Sequence, residues 1–341
     1  MKDTVFIRTE ANEVTASGHM MRCLNVAEAA RKAGKEAVFI TAESGSAKLP
    51  KSKGFETVVL GTDFKDLGSE LPLMEELIKK RDIKRLLIDS YYVTNDYLGR
   101  LSSFTKTAYI DDLHEDIWPV DILINYSMSA HFYPYEREYE NTRLLLGPDY
   151  MPLREEYISD IDKERTVKKR AEKLLVLSGG GDEAHFLLNF LKRSKTEPLK
   201  GFEIKLVAGR FNRDLDKLKK EAEGLTCVTV LSEIPTLKGE LEAADICISA
   251  GGTTLYELAA TGTPGIMYCL ADNQKDNIRG FLDEDIFEYA GDVRDEGFYE
   301  RMTAVIKVYA EDTKKREECV RRGKHLVDGN GAERIAGVLF E

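Results

Sequence analysis

Short apolar runs alternate with helical patterns along most of the chain. A first series of runs comprises Thr4–Ile7, Ala37–Ile40, Thr57–Leu60, Arg85–Ile88, Lys106–Ile110, Ile122–Asn125 and Arg143–Leu146. A second series comprises Lys173–Leu177, Glu203–Val207, Cys227–Leu231, Asp245–Ser249 and Gly265–Tyr268. Runs this short, without regular alternation of apolar and polar positions, are typical of parallel strands buried on both faces.

Helical patterns separate the runs, for example at His19–Ala33, Leu73–Lys80, Arg213–Glu223 and Thr254–Thr261. This alternation predicts β-α-β units that build open parallel sheets, so the fold class is α/β. The C-terminal pattern predicts a helix from Phe298 to Val327, a break at residues 328–331 and a last helix at Ala332–Leu339.

A charged segment, Arg154–Arg170, lies between the two series. We interpret it as a hinge, because the strand series restarts directly after it; an amphipathic surface helix is the alternative. The 341 residues then divide into an N-terminal domain (1–153), a hinge (154–171), a second α/β domain (172–330) and a C-terminal helix (331–341) that packs back toward the N-terminal domain.

The chain is acidic, with 49 Lys and Arg against 60 Asp and Glu and a formal charge of −11. Such a chain repels nucleic acids and anionic membrane surfaces at long range. No apolar stretch is long enough for a membrane helix, and the five cysteines are scattered without a metal-binding or disulfide spacing. We therefore expect a cytoplasmic protein, a monomer or weak dimer, with no nucleic-acid partner and no integral membrane contact.

Three predicted strand-to-helix turns are rich in small residues: Ala16–His19, Ser178–Asp182 and Ser249–Thr254. Glycines let the backbone approach a ligand, and the free N–H groups of a helix start attract an anion. None of the turns matches the P-loop or the dinucleotide-binding fingerprint. The turns therefore predict an anion site of another kind.

Polar side chains accompany the third turn. Glu257 lies one helical turn after Thr253, where a carboxylate can hold the hydroxyls of a ribose or can instead stabilise the helix dipole. Asn273 and Gln274 follow the next strand, and their amides can contact a ligand or cap a helix.

The block Ala243–Leu258, followed by Gly262–Pro264 and Asn273–Gln274, resembles the UDP-binding domain of GT-B glycosyltransferases. It is similar to the peptidoglycan N-acetylglucosaminyltransferase and to the UDP-2,4-diacetamido-2,4,6-trideoxy-β-L-altropyranose hydrolase of pseudaminic acid biosynthesis. The N-terminal half resembles that hydrolase and the spore-coat polysaccharide biosynthesis proteins through Gly18–Arg22, Ile88–Tyr91, Tyr109–Asp112, Asp121–Asn125 and Gly147–Arg154. The resemblance implies a GT-B fold, in which two Rossmann-like domains face each other across a cleft.

The resemblance also implies roles for individual residues. His19 is the expected general base, since a neutral imidazole accepts a proton near neutral pH. Tyr91 is expected to position the sugar or the water, and ordinary core packing is the alternative. The expected UDP-sugar contacts are Gly18, Gly180, Ser249, Gly251, Gly252, Thr253 and Thr254 at the diphosphate, Glu257 at the ribose, Ser232–Ile234 at the uracil, and Asn273 and Gln274 at phosphate or sugar. Arg22 can reach a phosphate or form an ion pair with an N-domain aspartate.

Two further motifs leave alternatives open. Asp111 and Asp112 are adjacent carboxylates that could suggest a metal, but neighbouring residues at a strand end point in opposite directions, so a clamp of the two is strained. Without His or Glu partners nearby, and as the GT-B resemblance implies, we expect no metal. No cofactor is expected either. The aromatic stretch Tyr126–Tyr139 can stack on sugar rings or form a flexible surface loop.

The expected function is a UDP-sugar hydrolase of nonulosonic acid biosynthesis, in which water attacks the anomeric carbon. A GT-B glycosyltransferase of surface or spore-coat polysaccharide and a non-catalytic UDP-binding subunit are the alternatives. The sequence departs from the hydrolase pattern at Ala16 and at Ser90, and the second change lies near the expected sugar pocket.

Overall fold

The structure is a computed structural model that describes residues 3–11, 18–159, 161–182, 184–194, 199–209, 212–232 and 234–341. The chain divides into two compact units. Unit 1 comprises Met1–Arg154 and Asn330–Glu341, and unit 2 comprises Glu155–Gly329.

Unit 1 contains a seven-stranded parallel sheet in the order β3-β2-β1-β4-β5-β6-β7. Its strands are β1 (Thr4–Thr9), β2 (Glu36–Thr41), β3 (Glu56–Val59), β4 (Arg85–Asp89), β5 (Lys106–Ile110), β6 (Ile122–Asn125) and β7 (Arg143–Leu146). Its first helices are α1 (Gly18–Lys32), α2 (Lys48–Ser52), α3 (Leu67–Arg81), α4 (Asn95–Ser102) and α5 (Tyr135–Glu138).

Unit 2 contains a six-stranded parallel sheet in the order β10-β9-β8-β11-β12-β13. Its strands are β8 (Lys173–Leu177), β9 (Glu203–Ala208), β10 (Val228–Ser232), β11 (Ile246–Ala250), β12 (Gly265–Cys269) and β13 (Glu288–Asp292). Its helices are α6 (Glu155–Ile158), α7 (Phe186–Ser194), α8 (Leu215–Ala222), α9 (Lys238–Ala243), α10 (Thr254–Thr261), α11 (Lys275–Asp283), α12 (Phe298–Glu311) and α13 (Thr313–Leu326).

The strands are buried on both faces, as the continuous apolar runs predict. Phe6 and Ile7 point to opposite faces of β1, yet both are buried, because helices cover each side of a parallel sheet. The edge strand β13 was missed, since its sequence (EYAGD) lacks an apolar run. Among the described residues no helix is long and apolar enough to cross a bilayer.

Most helix boundaries lie within two residues of the prediction, and two helical segments differ by more. Helix α3 begins at Leu67 and runs through Pro72, which was expected to precede the helix. The long C-terminal helix is interrupted at Asp312, whose side chain caps α13 by accepting a hydrogen bond from the Lys315 N–H at 3.0 Å. An Asp at this position competes with the helical backbone and therefore starts a new helix.

The last helix, α14 (Gly331–Phe340), belongs to unit 1 and contacts α1. Gly331 lies against the backbone of Met151, where a Cβ atom has no room. Arg334 Nη1 donates to the Asp149 carbonyl at 2.8 Å. These contacts join the end of the chain to the segment that ends the N-terminal domain.

The segment expected to be a hinge lies in unit 2 from Glu155 onward. Arg165 holds it there, because its guanidinium donates to the Leu241 carbonyl at 3.2 Å and to Thr263 Oγ1 at 3.2 Å. Lys324 Nζ donates to the Ile161 carbonyl at 3.0 Å. Hinge motion at this segment stays a prediction.

Candidate functional site

A buried polar cluster lies at the carboxyl edge of the unit 1 sheet. His19 and Arg22 lie in the first turns of α1, which follows β1 in the chain, and Asp89 is the last residue of β4. Asp112 and Tyr126 lie just after β5 and β6. Because β1, β4, β5 and β6 are consecutive in the sheet, their carboxyl ends bring these residues together. We call these five residues, with Tyr91, the histidine cluster.

His19 and Asp89 form a hydrogen-bonded pair, with 2.5 Å between His19 Nδ1 and Asp89 Oδ1. A carboxylate cannot donate, so Nδ1 carries the proton and Nε2 is left as the acceptor. Arg22 Nη2 lies 3.2 Å from the same Nδ1. Because Nδ1 carries a proton in this tautomer, it cannot accept a hydrogen bond from Arg22, and the two atoms are only in close contact. The pair therefore leaves Nε2 as the basic atom of the imidazole.

Arg22 is the centre of the cluster. Its Nε and Nη2 donate to the two oxygens of Asp89 at 2.6 and 2.5 Å, and its Nη1 donates to Asp112 Oδ2 at 2.6 Å and to Tyr126 OH at 2.5 Å. Of the two roles expected for Arg22, the ion pair is the one observed. The side chain is buried, so a phosphate contact would require it to leave these partners.

Burial opposes the ionisation of Asp89, but Arg22 and His19 outweigh it, and the pKa of Asp89 lies well below its usual range. For Arg22, burial favours the neutral form, whereas Asp112 and Asp89 favour the cation and raise its pKa. The bidentate geometry thus keeps both groups charged in the interior.

Tyr91 lies between His19 and Asp112. Its ring contacts the imidazole edge-on, with 4.4 Å between centroids, and its hydroxyl donates to Asp112 Oδ2 at 3.3 Å. The residue is 37% exposed, whereas His19 is 5% exposed. Tyr91 is therefore the solvent-facing member of the cluster.

Asp111 and Asp112 point in different directions, as expected for neighbours at a strand end. Asp111 accepts from Tyr135 OH and from the His114 N–H, both at 2.9 Å, and burial raises its pKa despite these bonds. Within the described part of the chain, His, Cys, Asp and Glu form no group of three that could hold a metal.

The aromatic stretch is largely packed into unit 1. Tyr126, Tyr135 and Tyr139 are buried, and the segment forms a short helical turn at Met128–Phe132 before α5. These rings therefore belong to the core, and the expectation of a flexible surface loop is wrong for them.

In the second glycine turn, Ser178–Asp182 of unit 2, an aspartate of the turn itself binds the start of the following helix. Asp182 is buried and accepts hydrogen bonds from the Phe186 and Leu187 N–H groups at the start of α7, at 2.7 and 3.0 Å. Burial raises the pKa of this carboxyl. Gly180 is exposed, but a phosphate at the start of α7 would have to displace Asp182.

The third turn differs from the second because the side chain at its own N-cap position does not cap the helix. Thr253, at the N-cap position, makes no side-chain cap hydrogen bond, and Thr254 starts the helix. Gly251 packs so closely on Ile278 that a Cβ atom has no room, whereas the space beside Gly252 is open. The start of α10 is therefore better suited to bind an external anion than that of α7.

The other residues of unit 2 that are predicted to contact the UDP-sugar lie close to this turn along the chain. Ser249 is buried and donates to the Ala250 carbonyl at 3.1 Å, and Glu257 lies in the first turn of α10. Asn273 is exposed, whereas Gln274 Oε1 accepts from the Leu270 N–H at 3.0 Å, so that amide supports the loop.

Two of the predicted binding segments include residues that lie outside the described part of the chain. In the first glycine turn, Gly18 is exposed at the start of α1, and residues 16 and 17 lie outside the described residues. The expected uracil segment contains residue 233, which also lies outside them.

Sequence reasoning missed the partners of the predicted base. Asp89 and Asp112 each follow an apolar run at a strand end, which is the signal that was available. Their pairing with His19 and Arg22 depends on which strands are neighbours in the sheet, and the strand order cannot be read from the sequence. Asp182 was included in a glycine turn as part of an anion site, although it is itself the anion that caps α7.

Comparison with known proteins gives one curated relative, the spore coat polysaccharide biosynthesis protein SpsG of Bacillus subtilis. It is 26% identical over 203 residues, which cover 58% of this chain and 58% of SpsG. The match thus spans little more than half of that relative. No protein-family model matches the chain.

Solved structures resemble the whole chain. The crystal structure of Acinetobacter baumannii MurG has a TM-score of 0.69 at 11% identity, with 99% of each chain covered. Phytolacca americana UGT2, complexed with UDP-2-fluoro-glucose and pterostilbene, has a TM-score of 0.66 at 10% identity, covering 98% of this chain and 95% of its own. Glycosyltransferases recur among these neighbours, and the predicted GT-B fold of two parallel-sheet α/β domains is confirmed.

Proposed function

We propose that this chain is a glycosyltransferase that uses a UDP-sugar donor in the synthesis of a polysaccharide. The observation that carries the proposal is the hydrogen bond from His19 to Asp89, which leaves His19 Nε2 free to accept a proton. The GT-B fold and the similarity to a spore coat polysaccharide biosynthesis protein support it. This is the second of the functions considered from the sequence, and it now has the better support.

In the proposed reaction, His19 Nε2 takes the proton of an acceptor hydroxyl as its oxygen attacks the anomeric carbon of the donor. The bond between that carbon and the β-phosphate oxygen breaks, and UDP leaves with the electron pair. Asp89 holds the imidazole in the reactive tautomer and stabilises the imidazolium that forms. Tyr91, in contact with the imidazole, positions the attacking oxygen.

The UDP part of the donor is assigned to the third glycine turn of unit 2. The N–H groups of Thr253 and Thr254 would bind the diphosphate, because those of Gly251 and Gly252 already donate to the Tyr268 and Ala250 carbonyls. Glu257 would accept hydrogen bonds from the ribose hydroxyls. Ser249, Asn273, Gln274, Gly18 and Gly180 stay predicted neighbours of the nucleotide. The assignment is supported by the N-cap residue Thr253, whose side chain makes no cap hydrogen bond at the start of α10.

Replacing Glu257 with alanine should weaken UDP binding by about 1–3 kcal/mol, because two hydrogen bonds to the ribose are lost. Calorimetry with UDP measures the change, and Glu296→Ala, an exposed carboxylate of the same unit, is the control. Equal UDP affinity in Glu257→Ala and wild type would mean that Glu257 only stabilises the helix dipole.

Activity should persist in EDTA. The start of α10 can neutralise the leaving diphosphate without a metal, while Asp111 and Asp112 are engaged by separate partners. Turnover is measured in EDTA and again with added magnesium or manganese. Activity that disappears in EDTA and returns with either ion would contradict this prediction.

Hydrolysis of a UDP-sugar is the second candidate. The motifs that resemble the hydrolase, Gly18–Arg22 and Ile88–Tyr91, are the ones that supply His19, Arg22, Asp89 and Tyr91 to the histidine cluster. In this reaction the same base would deprotonate water.

One experiment separates the candidates. Purified protein is incubated with a panel of UDP-sugars, including UDP-2,4-diacetamido-2,4,6-trideoxy-hexoses, with and without oligosaccharide acceptors, and UDP release is followed. Release that depends on an acceptor supports transfer, whereas equal release without one supports hydrolysis. UDP binding without any release would leave the non-catalytic UDP-binding subunit.

A further inference from the structure

Asp112 differs from the other carboxylates around the histidine cluster because only one of its two oxygens accepts hydrogen bonds from the described residues. Both oxygens of Asp89 accept from Arg22, and both oxygens of Asp111 accept strong hydrogen bonds. Asp112 Oδ2 accepts from Arg22 at 2.6 Å and from Tyr91 at 3.3 Å. Its Oδ1 is buried and has no partner among the residues that the structure describes. A carboxylate can accept more hydrogen bonds than this.

Part of the Asp112 side chain lies on the solvent side of the cluster next to Tyr91, although Oδ1 itself is buried. Its side chain keeps 18% of its surface exposed, and its neighbour Tyr91 is 37% exposed. The Tyr91 hydrogen bond is long, so another donor can replace it at little cost. Tyr91 also contacts the His19 ring, which places Asp112 one side chain away from the proposed base.

The charges around Asp112 select the kind of group that can bind there. The Arg22 cation is shared by two carboxylates, Asp89 and Asp112, so the three groups together carry one negative charge. An anionic ligand group would be repelled. A hydroxyl or an amide N–H would supply the missing hydrogen bond without adding charge.

We propose that Asp112 is a substrate-binding residue that accepts a hydrogen bond from a carbohydrate hydroxyl or amide N–H beside His19. The inference rests on the proposed function and adds a specificity-determining residue to it. The donor sugar and the acceptor sugar both offer such groups, and the experiment distinguishes them.

Asp112→Asn is the test variant. The amide oxygen can keep the hydrogen bond from Arg22, while the amide NH₂ replaces the unpartnered oxygen and turns an acceptor into a donor. Asp111→Asn is the matched control. It makes the same change in the neighbouring residue, whose two carboxylate oxygens already accept hydrogen bonds from Tyr135 OH and the His114 N–H. The control should lower the melting temperature and leave substrate affinity unchanged.

Three quantities are measured for each variant: the Kd for UDP, the Kd for the best UDP-sugar without acceptor, and the KM for an oligosaccharide acceptor. The Kd for UDP should be unchanged in Asp112→Asn. If the donor sugar binds Asp112, the Kd for the UDP-sugar should rise about 10- to 100-fold. If the acceptor binds it, that Kd should stay constant and the acceptor KM should rise by the same factor.

Wild-type values for all three quantities in a folded Asp112→Asn protein would overturn the inference. Should that variant fail to fold, Asp112→Ser, which removes the charge with a smaller side chain, is measured in the same way. If the wild-type protein binds UDP-sugars and the Asp112→Asn protein has the same affinities, the result contradicts only this inference. A wild-type protein that binds no UDP-sugar overturns the proposed function and the inference with it.

Discussion

Replacing His19 with alanine is expected to lower kcat by about 10²–10⁴-fold, the usual contribution of a general base. The imidazole acts on the proton that moves in the transition state, so its loss should change the rate far more than the ground-state affinity. UDP affinity should be preserved, because the predicted nucleotide contacts at Gly251–Thr254 and Glu257 lie in unit 2. Both quantities are measured on the same preparation, with kcat determined on the best UDP-sugar.

The control for this variant is His325→Ala, which removes an exposed imidazole from α13 and should leave kcat unchanged. A His19→Ala protein that keeps most of its turnover would exclude His19 as the base. Tyr91 and the carboxylates Asp89, Asp111 and Asp112 would then be the next candidates.

Replacing Asp89 with asparagine is expected to damage both stability and activity. Asp89 is buried and pairs with Arg22 through both oxygens, and breaking a buried ion pair typically costs about 3–5 kcal/mol. The amide also no longer fixes the His19 tautomer, for which a loss of kcat up to about 10⁴-fold is the precedent among catalytic histidines. Denaturant unfolding and steady-state kinetics measure the two effects.

The pH dependence of stability gives a second signature of Asp89. Its pKa in the folded protein lies below the usual aspartate value, so the unfolded chain binds the proton more readily. Its stabilising contribution is present above about pH 4, the ordinary aspartate pKa, and is lost as pH falls through the lower folded value. The Asp89→Asn protein should therefore show a flatter stability profile than wild type below about pH 4.

Asp121→Asn is the matched control for Asp89. Asp121 accepts a hydrogen bond from the Thr107 N–H at 2.7 Å and is exposed, so its loss should cost far less stability. If the two variants lost the same stability and the same activity, the ion pair with Arg22 would have no special role.

The strands that the apolar runs predict were found with small shifts at their ends. The pattern succeeded because a parallel strand covered by helices needs apolar residues on both faces, which leaves a visible run. It failed at β13, an edge strand with one buried apolar residue in its middle, Ala290. It also failed at Asp312, because a single capping side chain divides a helical pattern that is otherwise continuous.

The glycine turns show the limits of the sequence more sharply. Both unit 2 turns have small residues after an apolar strand, and both predict an anion site. Only the contacts distinguish them: Asp182 already occupies the start of α7, whereas the Thr253 side chain does not cap α10. Whether a carboxylate folds back onto a helix start depends on the path of the loop, which a motif does not encode.

The sequence by itself determined the α/β class, the two strand series, the GT-B resemblance and His19 as the residue to suspect. These follow from local patterns, in which burial, helix starts and motif spacing depend on neighbours along the chain. Only the tertiary structure decided that Arg22 joins Asp89 and Asp112 and that Asp89 fixes the His19 tautomer. It also decided that one Asp112 oxygen has no hydrogen-bond partner in the part of the chain that the structure describes. Those contacts join residues 67 to 90 positions apart, and they arise because the sheet order places β1, β4 and β5 side by side.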